Sequence, residues 1–294
     1  MRGLTLRARL WRLSCVLGLG LAGTTFALLA REASAKPKGE AELAGQTYDF
    51  AWDGRDRGEP EHAWLGRAWV PEELSAEPDR PAPLLIFLHG LNRELIPYRW
   101  MGGGHEGDVR RIVAKLIAEG RIPPTLVAAP SSVLPWNKKA RSSWPSFDVD
   151  HFLELTREEL RGKATIDSRQ VLLVGHSGAG CDPHGGLALA KRARTAFQAV
   201  LSLDTCMGRD LAEALGSLPP PTEVVVTYQD QSWGSRPFAQ FRLAFERASL
   251  KSDAPSELRS LRRREPQGPG AHDALVHLTL NAELPRLLSR PQPR

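Results

Sequence analysis

The chain has 294 residues, 41% of them hydrophobic and 25% charged, proportions of an ordinary globular protein rather than a disordered or fibrous one. Its formal net charge is +5, but Arg2, Arg7, Arg9, Arg12 and Arg31 against Glu32 place most of that in residues 1–35, leaving about +1 for the rest. This leaves no electrostatic case for nucleic acid or an anionic membrane as a partner.

The first thirty-five residues read as an export signal. After the basic start, Leu13 to Ala30 is apolar and free of charge, and Ala33-Ser34-Ala35 is an A-x-A cleavage site. These are the three parts of a secretory signal peptide, with cleavage after Ala35 and a secreted or periplasmic destination. A retained anchor is the competing reading, because the apolar run is just long enough to span a bilayer. Cys15 stands at the front of that run, where a lipoprotein cysteine would follow it. Residues 36–45 are small and polar and read as a flexible leader. Residues 290–294 read as a loose Pro/Arg tail. Residues 46–289 are expected to form one domain.

Thr47 to Trp52 alternates and is rich in aromatics, the pattern of a half-buried strand, and Ala63 to Val70 is expected to pair with it. A proline-punctuated connection, Pro71 to Pro83, leads to Leu84-Leu85-Ile86-Phe87-Leu88. That continuous apolar run predicts a central strand covered on both faces. Val109, Ile112, Val113 and Leu116 form the stripe of a helix over Gly107 to Ala118. Thr125 to Ala129 predicts another buried strand. Asp148 is expected to cap a helix running to Arg161.

Val171 to Val174 is the next buried strand and Gly185 to Arg194 the helix after it. Ala199 to Leu203 and Val224 to Tyr228 are further strands, followed by an amphipathic helix over Arg236 to Leu250. Leu258 to Arg263 reads as a charged edge strand. Ala274 to Leu288 is the last helix, expected to be interrupted at Pro285. About eight strands alternating with helices predict an α/β fold with a mostly parallel sheet, helices on both faces, and ligands at the carboxyl ends of the strands.

Between strand and helix lies Gly175-His176-Ser177-Gly178-Ala179-Gly180. A G-x-S-x-G-like turn in that context predicts a nucleophile elbow, which lifts the serine hydroxyl above the sheet edge. A serine needs a base, and the base an orienting acid. His272, in the loop after the edge strand, is the leading base. His277, five residues on, reads better as a helix-surface residue. His176 is expected to point away from Ser177, and His184 to line a pocket. Two acids lie between serine and histidine at strand ends, Asp230 after Tyr228 and Asp204 after Leu203. Asp230 is the first choice and Asp204 the alternative.

Several other clusters have ordinary explanations. His105-Glu106-Gly107-Asp108 and Asp148-Val149-Asp150-His151 match no zinc or calcium spacing and sit where acids cap helices. No metal or other cofactor is expected. Gly102-Gly103-Gly104 lacks the Gly-Lys-Ser/Thr of a phosphate loop and reads as a turn. Trp100, Trp136, Trp144 and Trp233 fit equally a packing role in loops or an aromatic wall around a substrate.

Residues 84–289 resemble the α/β-hydrolase superfamily, with a layout similar to its secreted esterases. Leu88-His89-Gly90-Leu91 resembles that family's HG turn, and the resemblance implies an oxyanion hole from the N–H groups of Leu91 and Gly178. It also implies an acid after the seventh strand, hence Asp230, and a histidine after the eighth, hence His272. Gly120 to Pro130 resembles the family's approach to its fourth strand. Ala179 departs from the family pattern, and Gln229 to Trp233 lacks the usual Gly-x-x-Asp.

The activity expected is ester hydrolysis on a small-molecule or oligomeric substrate. Peptide or amide cleavage by the same residues is one alternative, and a non-catalytic binding module on a hydrolase scaffold is another. Finally, Cys181 and Cys206 follow neighbouring strand ends in an exported chain and are expected to form a disulfide.

Overall fold

The run that begins at Pro81 becomes a central strand because both of its faces are covered. The computed structural model describes residues 43–52, 64–131, 144, 147–230 and 235–289. The expected signal peptide, the tail and all but the end of the leader lie outside the described residues. The strands are β1 (Gln46–Trp52), β2 (Trp64–Val70), β3 (Pro81–Leu88), β4 (Leu126–Ser131), β5 (Thr165–His176), β6 (Ala199–Leu203), β7 (Glu223–Tyr228) and β8 (Arg259–Arg263). They form one sheet in the order β1-β2-β4-β3-β5-β6-β7-β8. β2 is antiparallel to β1 and β4, and every pairing from β4 onward to β8 is parallel.

Strand periodicity divides the interior in two. Leu84, Ile86 and Leu88 enter one apolar cluster with Val171 and Leu173, while Leu85 and Phe87 enter the other with Leu172 and Val174. The first cluster is closed by α3 (Val149–Glu159) through Phe152 and Leu153, α4 (Arg209–Gly216) through Leu211 and Leu215, and α5 (Ser235–Lys251) through Phe241 and Phe245. The second is closed by α2 (Val109–Ala118), with Ile112, Val113 and Leu116, and α6 (Ala271–Leu288), with Val276, Leu280 and Leu284. A short helix, α1 (Glu72–Ser75), lies in the connection before β3.

Several elements differ from the sequence reading, among them α1, which lies in the expected connection, and β3 and β5, which begin earlier, at Pro81 and Thr165. The segment Gly186–Arg192 is a 3-10 helix, not an α-helix. Gly186 has φ +52 and lies so close to the elbow that a Cβ there would meet the Ala179 carbonyl oxygen at 2.0 Å, so regular winding cannot start from it. α4 was not expected; its apolar positions span barely two turns. Pro285 does not interrupt α6, because the carbonyl of Asn281 that it leaves without an intrahelical donor accepts from Arg121 Nη2 at 2.7 Å. The end of the expected flexible leader is held, with Trp69 Nε1 donating to the Ala44 carbonyl at 3.1 Å.

The charged strand β8 takes the sheet edge as expected, half-buried from Arg259 to Arg262 and exposed at Arg263. Asp108 and Asp148 cap α2 and α3 by accepting from the backbone N–H groups of Arg110 and His151.

Cys181 and Cys206 form a disulfide with a Cα–Cα separation of 4.8 Å. One follows the turn after β5 and the other the turn after β6, so the bridge ties two strand ends together. The loop it closes spans 25 residues, for which chain entropy gives a stabilisation of about 3 kcal/mol. Reduction should therefore lower Tm by roughly 6–12 °C. Identical melting of the reduced and unreduced protein would contradict this.

Candidate active site

Ser177 follows the last residue of β5 and opens a one-turn 3-10 helix, Ser177–Gly180. Its φ is +52, a left-handed conformation that side chains rarely adopt and that tends to be kept at functional positions. Small neighbours make room for it. A Cβ at Gly175 would lie 2.5 Å from Leu187 Cγ, and one at Gly90 would lie 2.8 Å from Ser177 Cβ. The HG turn thus abuts the serine directly. A Cβ at Gly178 would sit 2.7 Å from the Leu91 backbone nitrogen, so the two amides expected to hold an oxyanion lie on segments in contact. The Leu91 N–H donates to no acceptor among the described residues.

The register of β5 against β6 selects the acid. His176 pairs with Leu203, so the next residues, Ser177 and Asp204, leave neighbouring strands at the same level. Asp204 also has a positive φ, +46. Its side chain is fully buried, and Oδ2 lies 2.6 Å from His272 Nδ1 and accepts from Gln229 Nε2 at 2.9 Å.

This corrects the preference for Asp230. That residue lies beyond β7, one strand further from Ser177, with half its side chain exposed and Oδ2 2.7 Å from Arg263 Nη2. The contact expected of Asp230 is made by Asp204.

His272 is the second residue of α6, which packs over β6 and β7, so its ring reaches the Asp204 turn from above. It is a third exposed while its acid partner is sealed off. With Nδ1–H directed at the carboxylate, Nε2 is left as the basic nitrogen.

Beneath it lies a residue whose role the sequence did not reveal. His176 is wedged between the Trp100 ring at 5.7 Å and the His272 ring at 4.5 Å. Its Nε2–H donates to the His272 carbonyl at 3.2 Å. Desolvation, assisted by the nearby His272, pushes its pKa down to about 3, so it stays neutral beneath the His272 ring. His89 is likewise buried, with Nδ1 2.7 Å from the Gly90 carbonyl, and desolvation pushes its pKa down to about 4.

The remaining candidates are placed as follows. His277 is on the outer part of α6, its ring 6.0 Å from Trp100. His184 lines an open cleft of about 340 Å³ with Phe147, Asp148, Asp150 and Arg192, which contains none of Ser177, Asp204 or His272. Trp100 and Trp144 are buried and pack the loops, Trp144 with Nε1–H donating to the His89 carbonyl at 2.8 Å. Trp136 and Trp233 lie outside the described residues. Among the described residues no three His, Cys, Asp or Glu side chains converge as a metal site, and no helix is long and apolar enough to cross a membrane.

The sequence matches no family model and no curated protein. Solved structures do resemble it. They include a ferulic acid esterase, 15% identical, with 84% of this chain and 99% of that one covered at a TM-score of 0.56. An S-formylglutathione hydrolase from Agrobacterium tumefaciens is 14% identical, covering 85% and 97% at 0.55. An acylaminoacyl peptidase is 10% identical, covering 85% and 43% at 0.52. At these identities the likeness shows the fold, and the fold is that of the α/β-hydrolases.

The two buried histidines make stability depend on pH. Each has a folded pKa below the 6.5 of the free side chain, so between pH 6.5 and about 4 the unfolded chain binds protons that the folded chain does not. Their contribution to stability is full above pH 6.5 and is lost as pH falls toward 4 and then 3. Near pH 5.5 these two rings should add about two protons to the uptake on unfolding, an increment that His89→Gln and His176→Gln would remove. A flat profile between pH 7 and 5 would contradict the burial of these rings in neutral form.

Proposed function

We propose that this chain is an exported serine hydrolase that cleaves carboxylic esters through an acyl-serine intermediate. The observation that carries this reading is the 2.6 Å contact between His272 Nδ1 and the buried Asp204, next to a serine held at φ +52. A binding module has no use for a strained serine beside an accessible imidazole backed by a sealed carboxylate.

In the proposed reaction His272 Nε2 accepts the Ser177 proton as Oγ attacks the ester carbonyl. The developing oxyanion is received by the N–H groups of Leu91 and Gly178. The alcohol departs with the proton returned by His272, leaving an acyl group on Oγ. A water then gives its proton to His272 and attacks the acyl carbon, releasing the acid and restoring Ser177. Asp204 holds the imidazole in the Nδ1–H tautomer and stabilises the imidazolium formed in each half-reaction. The structural neighbours, several of them ferulic acid esterases, favour an ester. Methyl ferulate is therefore a reasonable first substrate beside p-nitrophenyl acetate.

Export is the proposed reading of residues 1–35, and the Cys181–Cys206 disulfide fits an oxidising compartment. Amide cleavage by the same residues remains a second reading because one structural neighbour is a peptidase. Turnover of peptide anilides without turnover of p-nitrophenyl esters would favour it.

The proposal separates the two aspartates. Asp204→Asn should lower kcat by roughly 10³–10⁴, the cost of losing the orienting carboxylate. Asp230→Asn should stay within about threefold of the wild type, because it loses only an exposed ion pair. Comparable losses in both variants, or a larger one in Asp230→Asn, would overturn the assignment.

A further inference from the structure

The segment after the HG turn is more heavily braced than a surface loop requires. Leu95, Tyr98 and Trp100 all have φ between +54 and +65, three left-handed residues without a glycine among them. Such conformations persist only where the surroundings impose them. The surroundings here are specific. Tyr98 N–H donates to Ser131 Oγ at 2.7 Å, Arg67 Nη1 donates to the Met101 carbonyl at 2.8 Å, and Trp100 is buried against Phe87. Asn92 closes the intervening turn by donating to the Ile96 carbonyl and accepting from the Ile96 N–H, both at 2.9 Å.

Arg99 projects from this fixed base back toward the site. Its Nη1 donates to the Leu91 carbonyl at 2.6 Å, and its Nη2 donates to Glu106 Oε1. Both side chains are largely buried, Arg99 17% and Glu106 5% exposed. Gly104, at φ +82, leaves the space that Glu106 occupies, since a Cβ there would lie 2.3 Å from Oε2. Burying an arginine and a glutamate is costly unless each satisfies the other. One guanidinium nitrogen is committed to that pairing; the other holds the Leu91 carbonyl by a short charge-assisted bond and makes a longer 3.4 Å contact with the exposed Glu94 carboxylate.

That carbonyl belongs to the residue whose N–H is the proposed oxyanion donor. The peptide on the other side of Leu91 is also held, by His89 Nδ1 at the Gly90 carbonyl. Leu91 is therefore fixed from both sides.

We propose that Arg99, held by Glu106, is a positioning residue that, acting on the peptide after Leu91 while His89 holds the peptide carrying the N–H, fixes the Leu91 backbone and with it the aim of that N–H in the oxyanion hole. The inference rests on the acyl-transfer reading above. Arg99 acts through the Leu91 backbone and need not touch substrate. A donor aimed at charge that appears only in the transition state raises kcat and leaves ground-state binding nearly unchanged. Loosening it should therefore lower kcat by about 10- to 100-fold, less than deletion of a donor, with KM for a p-nitrophenyl ester moving less than about threefold.

The experiment compares Arg99→Gln, Arg99→Lys, Glu106→Gln and Ser177→Ala in the full mature chain. Steady-state kinetics are read beside the melting temperature and the inhibition constant of a phenylboronic acid, which forms a tetrahedral serine adduct. Support is a fall in kcat at nearly constant KM in Arg99→Gln and Glu106→Gln, partial recovery in Arg99→Lys, and boronate affinity weakened in parallel with kcat. Should Arg99→Gln fail to fold, Arg99→Lys and Glu106→Gln carry the comparison. Wild-type kcat in the folded variants, or a rise in KM alone, with Ser177→Ala inactive, overturns the brace and leaves the acyl-serine reading standing. Turnover by Ser177→Ala removes that reading and the brace with it.

Discussion

The site depends on one pairing in the sheet, His176 of β5 against Leu203 of β6. In a parallel pair with evenly spaced bonds, two strands that end in register deliver their next residues side by side. Here those residues are Ser177 and Asp204, and each turns sharply through a positive φ as it leaves the sheet. Four residues after the first and two after the second, Cys181 and Cys206 join the two turns covalently. His272 then has to reach only one neighbourhood. The helix that carries it lies over β6 and β7 with its first turn above the Asp204 carboxylate.

The conformations on which this arrangement relies are individually unfavourable. A left-handed residue other than glycine costs on the order of 1–3 kcal/mol, and Ser177, Asp204, Leu95, Tyr98 and Trp100 are all in that region near the strand ends. What offsets the cost is the apolar sheet beneath, sealed on both faces by helices, and contacts that only glycine permits. Gly90 against Ser177, Gly178 against Leu91 and Gly186 against Ala179 are approaches that a methyl group would block. Ala179 is tolerated in place of an elbow glycine because it is fully buried among these segments and its backbone φ is not positive.

Most of the fold was legible because it rests on local periodicity. Continuous apolar runs gave the central strands, alternation gave β1, and the Val109–Leu116 stripe gave α2. The tight turn at Ser177 and the place of His272 at the start of a helix were legible because each carries a local signature, small residues after a strand in one case and a Gly/Pro loop before a helix in the other. Where the reading failed, the deciding contact was distant in sequence. Nothing near Asp230 shows that Arg263 engages it, and nothing near Asp204 shows that β6 ends level with β5. Pro285 looked like a helix break because Arg121, the donor that repairs it, is far away in the chain. His176 looked incidental for the same reason, since its partners are Trp100 and His272.

The central claim is that Ser177 is the nucleophile of this strand-end constellation. The most direct measurement is intact mass and peptide mapping after treatment with a fluorophosphonate, which phosphonylates an activated serine and releases fluoride. The account predicts a single adduct, on the peptide containing Ser177, absent in Ser177→Ala and formed more slowly in Asp204→Asn. Equal labelling of the wild type and Ser177→Ala, or an adduct mapped elsewhere in the chain, would contradict it.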